Sequence, residues 1–490
     1  MGELVPTHVM ECVPGDKITM SNETLLRFSP LIAPVMHKVD VFTHYFFVPN
    51  RLVWSNWQDF ITNTKDPLVL PVAPFLTGFN VTAGSLADYM GLPLAEGAVT
   101  IDKVSAIPFA CYQMIYNEYY RDQNLIAAND FQLTDGANTS IAGSLTTLRK
   151  RAWQHDYFTS SLPFAQKGDA VTIPLIQGTS ALVTKNTSTN AGQWVYADGV
   201  SQTAGTLVNQ QLQGTGSPTS NATATTGTIP RNVAYNPNGT LKVDINNEAQ
   251  TINALRRAFS LQSWLERNAR GGTRYIENIL AHFGVKSSDA RLQRPEYLGG
   301  SKSPMVVSEV LQTSATGTTA QGNMAGHGMS VGQGNQFTYN VEEHGYIIGI
   351  TSVMPKTAYQ QGIPRTYSKF DPLDYYWPSF ANIGEQEVKN RELYYTNDGQ
   401  NDGTFGYVPR YAEYKYMDSK VSGEFRTSLA YWHMGRIFSS RPALNANFVN
   451  ADPTRRAFAV TDANVDTIYA HMYNNIKAVR KMPKYGIPTW

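Results

Sequence analysis

Residues 39–60 read VDVFTHYFFVPNRLVWSNWQDF, and the periodicity changes once within them. Val39 to Val48 contains neither Gly nor Pro and is almost wholly β-branched, aromatic or histidine, the composition of a strand. Apolar side chains fall on both of its faces, so both faces must be covered. Pro49 cannot donate to a ladder and Asn50 is a good cap, so the strand is expected to stop there and a helix to begin. Val53, Trp57, Phe60 and Ile61 then recur at helical spacing. A buried strand that feeds a Trp-rich helix implies a central β-sheet with helices inserted between its strands.

The bulk composition bounds what such a sheet can do. Of the 490 residues, 16% are charged, against about 25% in ordinary globular chains. The surface must therefore be built from Asn, Gln, Ser, Thr, Gly and aromatics, which suits wide neutral interfaces where charge is depleted; a solvated β-protein of low charge is the plainer alternative. Net charge is +1, so the chain cannot by itself neutralise a nucleic acid carrying one negative charge per phosphate. Cys12 and Cys111 are spaced for neither a zinc site nor a redox pair. The first twenty residues lack a basic n-region and an apolar h-region, and no run of eighteen apolar residues occurs, so neither a signal peptide nor a membrane span is expected.

Taken in order, residues 1–20 read as two strands around a Pro14-Gly15-Asp16 turn, and Leu25 to Phe28 as another short strand. Pro67 to Gly97 is a connection punctuated by Pro and Gly. Pro108 suits the first turn of a helix with Tyr112, Ile115, Tyr116 and Tyr119 on one face. Glu118 with Arg121 or Asp122 reads as pairing on that helix's polar face, not as a catalytic carboxylate group. In HDYFTSSLPF (residues 155–164) the adjacent His155, Asp156 and serines cannot converge as a triad. Gln177 to Leu241 is Thr-, Ser-, Asn- and Gly-rich with few charges, the composition of surface loops or short hairpins with little core.

Helical spacing returns at Ile252 to Leu265 and at Ile276 to Phe283, joined by Arg270-Gly271-Gly272 and closed by Gly284. Met305 to Gln312 is strand-like. Thr313 to Gln336 reads as a second flexible loop, since its glycines do not match G-x-G-x-x-G and no βαβ unit follows. Phe337 to Val341 and Tyr346 to Met354 read as strands of one sheet face, and Ser428 to Phe438 as the last core strand. His344 lies near Glu342 and Glu343, but no second ligand pair has metal spacing.

Several long strings carry a resemblance. HYFFVPNRLVWSNW (44–57), YNEYYRDQNL (116–125), HDYFTSSLPFAQKG (155–168), GGTRYIENILAHFGV (271–285), DARLQRPEYLGG (289–300), EHGYIIG (343–349) and YQQGIPRTYSKFDPLDYYWP (359–378) occur in this order. With them the chain resembles the major capsid protein of the microviruses, small icosahedral single-stranded-DNA phages, particularly the gokushovirus-like branch. The resemblance implies one jelly-roll domain over residues 1–490, mainly β, with eight antiparallel strands. A surface insertion is expected at about 177–241 and the second loop at about 313–336. A jelly roll needs only about 50 strand residues, so most of the chain must be connections. In that family a further N-terminal arm precedes the equivalent of Met1.

The expected function is thus structural: a subunit that self-assembles into an icosahedral, T=1 shell around a circular single-stranded DNA genome, assembled in the bacterial cytoplasm and resident in the virion. Neither enzyme activity nor a cofactor, metal or membrane is expected. By analogy the partners are further copies of itself, the DNA, a minor pilot protein, an internal scaffold, a small basic DNA-binding protein and a host receptor met by the exposed insertion. Trp54, Trp57, Tyr116, Tyr119, Tyr375, Tyr376 and Trp377 are the candidate inter-subunit anchors, as large rigid apolar groups. Lys477, Arg480, Lys481 and Lys484, with Tyr485 and Trp490, are the candidate DNA contacts, since cations beside stacking rings bind single strands. The rival reading is a secreted or surface β-sandwich carbohydrate-binding protein or glycosidase with Trp and Tyr as sugar platforms; against it, no acid pair or metal set stands out and no export signal is read.

Overall fold

The computed structural model of the chain describes residues 1–62, 70–94, 100–171, 252–313, 322–460, 462 and 465–482, with the backbone of five short strands between 183 and 243. By backbone contacts it divides into two compact units, Met1–Asp169 with Trp264–Trp490, and Ala170–Ser263. Eight strands make the frame of the first unit: β1 (Val5–Cys12), β2 (Lys17–Phe28), β3 (Val39–Pro49), β4 (Glu296–Leu311), β5 (Met324–Gln333), β6 (Phe337–Asn340), β7 (Gly345–Pro355) and β8 (Ile468–Val479). They hydrogen-bond in the order β1-β7-β3-β4-β5-β2-β6, with β8 also on β2, and every ladder is antiparallel. This path nearly closes on itself and is the β-sandwich arrangement expected of a jelly roll.

One strand serves both halves of the sandwich. The first part of β4, Glu296 to Met305, pairs with β3, while Val306 to Leu311 pairs with β5. A β-bulge between Tyr297 and Gly299 and the proline at 304 bend it between the two sheets. The inner faces meet in two clusters, Leu26, Phe28, Val39, Val41, Met305 and Val353 at one end, Ile18, Met20, Tyr45, Phe47 and Ile347 at the other. Tyr45 also donates its hydroxyl to Asn474 of β8 at 2.7 Å, a polar tie between the sheets.

The opposite face of β3 is covered too, as its composition requires. Phe46 and Val48, with Ile348 and Ile350 of β7, pack beneath α2 (Ile107–Ile115) in the largest core cluster among the described residues. α2 is buried on all sides, not on one face, and runs on into a π-helical turn, Tyr116–Tyr120. That turn sets Tyr119 4.6 Å from the Phe46 ring and the Tyr120 hydroxyl 2.7 Å from His44 Nδ1. Burial lowers the His44 pKa to about 4, so this ring is neutral at pH 7. Trp54 is fully buried in the same cluster, and its indole N–H donates to Asp135 at 2.8 Å.

Several expectations need correction. The helix after β3 is interrupted: Asn50–Val53 makes one turn, Trp54 to Asn56 leave the helix, and α1 (Trp57–Thr62) follows with Phe60 and Ile61 exposed. The short strand foreseen at Leu25 is the end of the twelve-residue β2. The strands on either side of residue 341 lie in different sheets, β6 on β2 and β7 between β1 and β3. Ser428 to Phe438 forms no strand; it holds a 3-10 turn, and His433 accepts from the Gly435 N–H with one ring nitrogen and meets the Phe425 carbonyl oxygen with the other. The last strand of the frame is β8, and none of its residues is fully buried. Glu118 faces Arg294 at 3.5 Å, and no pair with Arg121 forms.

The largest correction concerns residues 324–333, read from sequence as part of a flexible loop. They are β5, and its inward positions are Gly326, Gly328, Ser330 and Gly332. A Cβ at Gly326 would lie 2.4 Å from the Ala33 carbonyl oxygen, and one at Gly328 would lie 2.5 Å from the Phe28 ring. The glycines therefore mark close packing.

Between the two long helices, α3 (Ile252–Arg270) and α4 (Tyr275–Phe283), the glycine pair turns the chain: Gly272 is left-handed, with φ of 92°. Gly284 closes α4 in the αL conformation. The second unit holds two small antiparallel sheets, Val183–Lys185 with Leu241–Val243, and Gln193–Tyr196, Arg231–Asn236 and Ser220–Ala222 side by side.

Two substitutions test this packing. Gly326→Ala should lower stability by about 1–3 kcal/mol through the backbone clash, whereas Gly143→Ala, on an exposed helix turn with no atom within 4 Å of the new Cβ, should be neutral or stabilising by up to ~1 kcal/mol. Equal melting temperatures for the two variants would contradict the tight β5 packing. Trp54→Ala should cost about 3–5 kcal/mol, read as a lower denaturant midpoint and lost soluble yield.

Candidate functional site

The C-terminal insertion between β7 and β8 builds its own small core and lays an aromatic surface over it. The hairpin Glu385–Lys389 and Thr404–Pro409 packs Val388 and Val408 against Tyr157, Phe158, Tyr359 and Phe448. Polar groups brace it. Asp156 accepts the N–H groups of Phe158 and Thr159 at 2.9 and 2.7 Å and the Tyr359 hydroxyl at 2.7 Å. HDYFTSSLPF is thus a corner whose aspartate is consumed as a cap. Glu392 accepts the Tyr157 hydroxyl at 2.7 Å and Arg365 Nη1 at 3.1 Å.

Above this core, residues 365–383 run through three 3-10 turns, Arg365–Tyr367, Pro372–Asp374 and Pro378–Phe380. Prolines at the first turn positions and the Asp371 cap hold the shape. Trp377 is pinned by its indole N–H on the Pro372 carbonyl at 2.8 Å, and the Tyr376 ring sits 5.0 Å from that of Tyr411. Lys369 Nζ donates to Glu413 and to the Tyr414 hydroxyl at 3.1 and 2.8 Å. Yet the apolar groups face outward: Phe370 is 86% exposed, Tyr367 72%, and Tyr375, Tyr376 and Trp377 about half. Tyr414 and Met417 extend the patch. A rigid, contiguous aromatic surface of this kind is what a protein partner buries.

The sequence candidates divide on this structure. Tyr375, Tyr376 and Trp377 lie together on the exposed surface. Trp54 and Tyr116 are buried in the subunit's own core, so they support the sheet. Trp57 is partly buried, with its ring 5.6 Å from that of His344, and Tyr119 donates its hydroxyl to the Pro295 carbonyl at 2.6 Å. Among the cations, Lys477 is exposed on β8 opposite Thr19, and Lys481 is exposed. Arg480 is held by Asp16 at 3.0 Å and by the Glu11 carbonyl at 2.7 Å. Lys484, Tyr485 and Trp490 lie outside the described residues.

Sequence reading missed Tyr414 and Met417, whose exposure follows from a turn 30 residues further on that no local pattern announces. It also missed a convergence of arginines, Arg121, Arg151, Arg270 and Arg274, around one cleft. Glu343 is taken up by Arg51 at 2.6 Å, and among the described residues no three His, Cys, Asp or Glu side chains gather as metal ligands. No helix among them is long and apolar enough to cross a membrane.

Comparison with known proteins agrees with this architecture. The whole chain, residues 1–490, matches the family described as capsid protein (F protein). It is 36% identical to the capsid protein VP1 of Bdellovibrio phage phiMH2K, over 99% of this chain and 92% of that protein. It is 35% identical to the capsid protein VP1 of Chlamydia phage 1, over 100% and 93%, and 32% identical to that of Spiroplasma virus 4, over 100% and 92%. An antiparallel jelly-roll frame, an outward aromatic surface and full-length similarity to three phage capsid proteins converge: this chain belongs to the capsid protein (F protein) family of the microviruses, and its place is in the virion.

Proposed function

We propose that this major capsid protein closes into an icosahedral shell chiefly through the aromatic segment 365–383, and that the shell encloses a circular single-stranded DNA genome. The observation that carries the reading is the combination of exposure and rigidity in that segment. Five large rings face outward while prolines, turn hydrogen bonds and the Lys369–Glu413 pair already fix the backbone. Little ordering entropy is then lost on contact, so more of the buried area appears as affinity. The low charge of the chain favours such contacts and leaves neutralisation of the genome to other cations, with Lys477 and Lys481 as the exposed local contribution.

The insertion 177–241 has a different role in this reading. Its polar, nearly uncharged composition offers nothing to DNA and is suited to the outside of a shell, where it meets the host surface. Loops carry such functions because they tolerate change without disturbing the scaffold.

Trp377→Ala should leave the melting temperature of the unassembled subunit nearly unchanged, because the ring is half-exposed, while each contact loses about 2 kcal/mol. Negative-stain counts of shells should then fall well below wild type; an undiminished count would remove Trp377 from the contacts. Replacing residues 179–238 by a short Gly-Ser linker should give particles that form but do not adsorb to host cells. Normal adsorption would take the insertion out of attachment, and failure to assemble would make it a brace between subunits.

A further inference from the structure

A cleft of about 790 Å³ lies beside the π-helical turn. Four arginines line it, Arg121, Arg151, Arg270 and Arg274, against two carboxylates, Asp122 and Glu277. Both carboxylates are engaged. Asp122 accepts the N–H groups of Asn124 and Leu125 at 3.0 Å each. Glu277 accepts from the Arg274 backbone and guanidinium at 3.1 Å each, and from Gln123 at 2.6 Å. Arg270 is spoken for as well, by Glu385 and by the Tyr407 carbonyl at 3.1 Å.

Arg121 and Arg151 are different. Among the described residues neither has a carboxylate partner. Arg121 donates once, to the Ile126 carbonyl at 2.6 Å, and Arg151 once, to the Ser352 hydroxyl at 3.0 Å. A guanidinium carries five donors, so most donors of these two have no protein partner among the described residues; the buried, unpartnered Nε they show is shared by Arg270 and Arg274. Burial lowers the pKa of both, and for Arg121 the nearby Arg274 charge adds to the effect. An anion would relieve that cost. The two forks are also held in place. Arg121 is held by its bond to the Ile126 carbonyl, and the Arg151 guanidinium lies 4.6 Å over the Phe42 ring and 5.7 Å from that of Tyr120. Arg274, by contrast, spends its donors on Glu277 and on the carbonyls of Asn117 and Arg121 at 2.9 Å.

We propose that this cleft is a nucleotide-phosphate site, in which Arg121 and Arg151 hold the phosphate and the exposed ring of Tyr416 at its wall stacks on the base. Planar forks match phosphate geometry, aromatic rings accept any base, and the volume falls within the range of small-ligand sites. The inference rests on the reading that the subunit meets a single-stranded genome, for the phosphate comes either from that strand or from a free nucleotide.

Unassembled subunits titrated with inorganic phosphate, a deoxynucleoside monophosphate and a short single-stranded oligodeoxynucleotide decide it. The nucleotide and the oligonucleotide should raise the wild-type melting temperature, as ligands of the native state do. Arg121→Gln and Arg151→Gln should each weaken binding at least tenfold, while Lys103→Gln, at an exposed lysine that does not line the cleft, should not. Tighter binding of the oligonucleotide assigns the site to the strand, and tighter binding of the monophosphate to the free nucleotide. Wild-type affinity for the strand should also fall with salt, by about 0.7 log units per log unit of salt for each phosphate engaged. No shift with any of the three ligands, a flat salt dependence, or wild-type affinity in both Gln variants would overturn the site. DNA-filled wild-type shells beside such a result would sink this inference alone; subunits that never form shells would instead sink the capsid reading.

Discussion

Everything in the first unit depends on β3 being buried on both faces. A strand with water on one side could alternate polar and apolar residues; this one cannot, and so the chain must supply two separate covers. The second sheet covers one side with Phe28, Met20 and Ile18, and α2 covers the other with Tyr112 and Ile115. Because both covers come from distant parts of the sequence, the strand fixes the relative placement of segments hundreds of residues apart. The cost of a buried polar group at its centre is met locally: Asp40 is paired with Lys302 at 2.9 Å, and Thr43 shares a hydrogen bond with Thr351 at 3.2 Å.

What the sequence disclosed followed the same logic. Where burial is two-sided, as in Val39 to Val48, composition alone is decisive, and the same holds for the glycine turn between α3 and α4. Where the inward positions are small, the signal vanishes. β5 hides Gly326, Gly328, Ser330 and Gly332 inside, and β8 has only Ile468, Met472 and Asn474 half-covered while its other residues are exposed. Neither looks like a strand until the partner's bulk is known. The candidate surface was legible in part for a related reason. Trp54 and Trp377 are equally large, but only tertiary structure decides that one fills a core and the other faces outward.

The division of labour between the two aromatic populations has a physical basis. Rings in the core cluster are enclosed on all sides, and their polar atoms are tied inward, as Trp54 is to Asp135 and Tyr112 to the Leu4 carbonyl. Rings on the surface segment are held by hydrogen bonds of the backbone and of their own polar atoms, as with the Trp377 indole N–H. The second arrangement keeps a surface apolar without letting it collapse onto the subunit. Buried thiols follow the first pattern: Cys12 and Cys111 are unpaired and enclosed, and burial pushes the Cys12 thiol up to about 11, leaving it protonated and inert.

The pairing of β2 with β8 has a consequence in time. Phe28 lies opposite Ile468, and Lys17 opposite Val479, so one edge of a strand made early has no partner until the ribosome has passed residue 479. At a synthesis rate of about 5–20 residues per second, the intervening chain takes roughly 20–90 s to appear. Through that interval the open edge of β2 is a template for unwanted strand pairing. Its outward residues Lys17, Glu23 and Arg27 are charged and exposed, as a strand that must wait in company with other nascent chains requires.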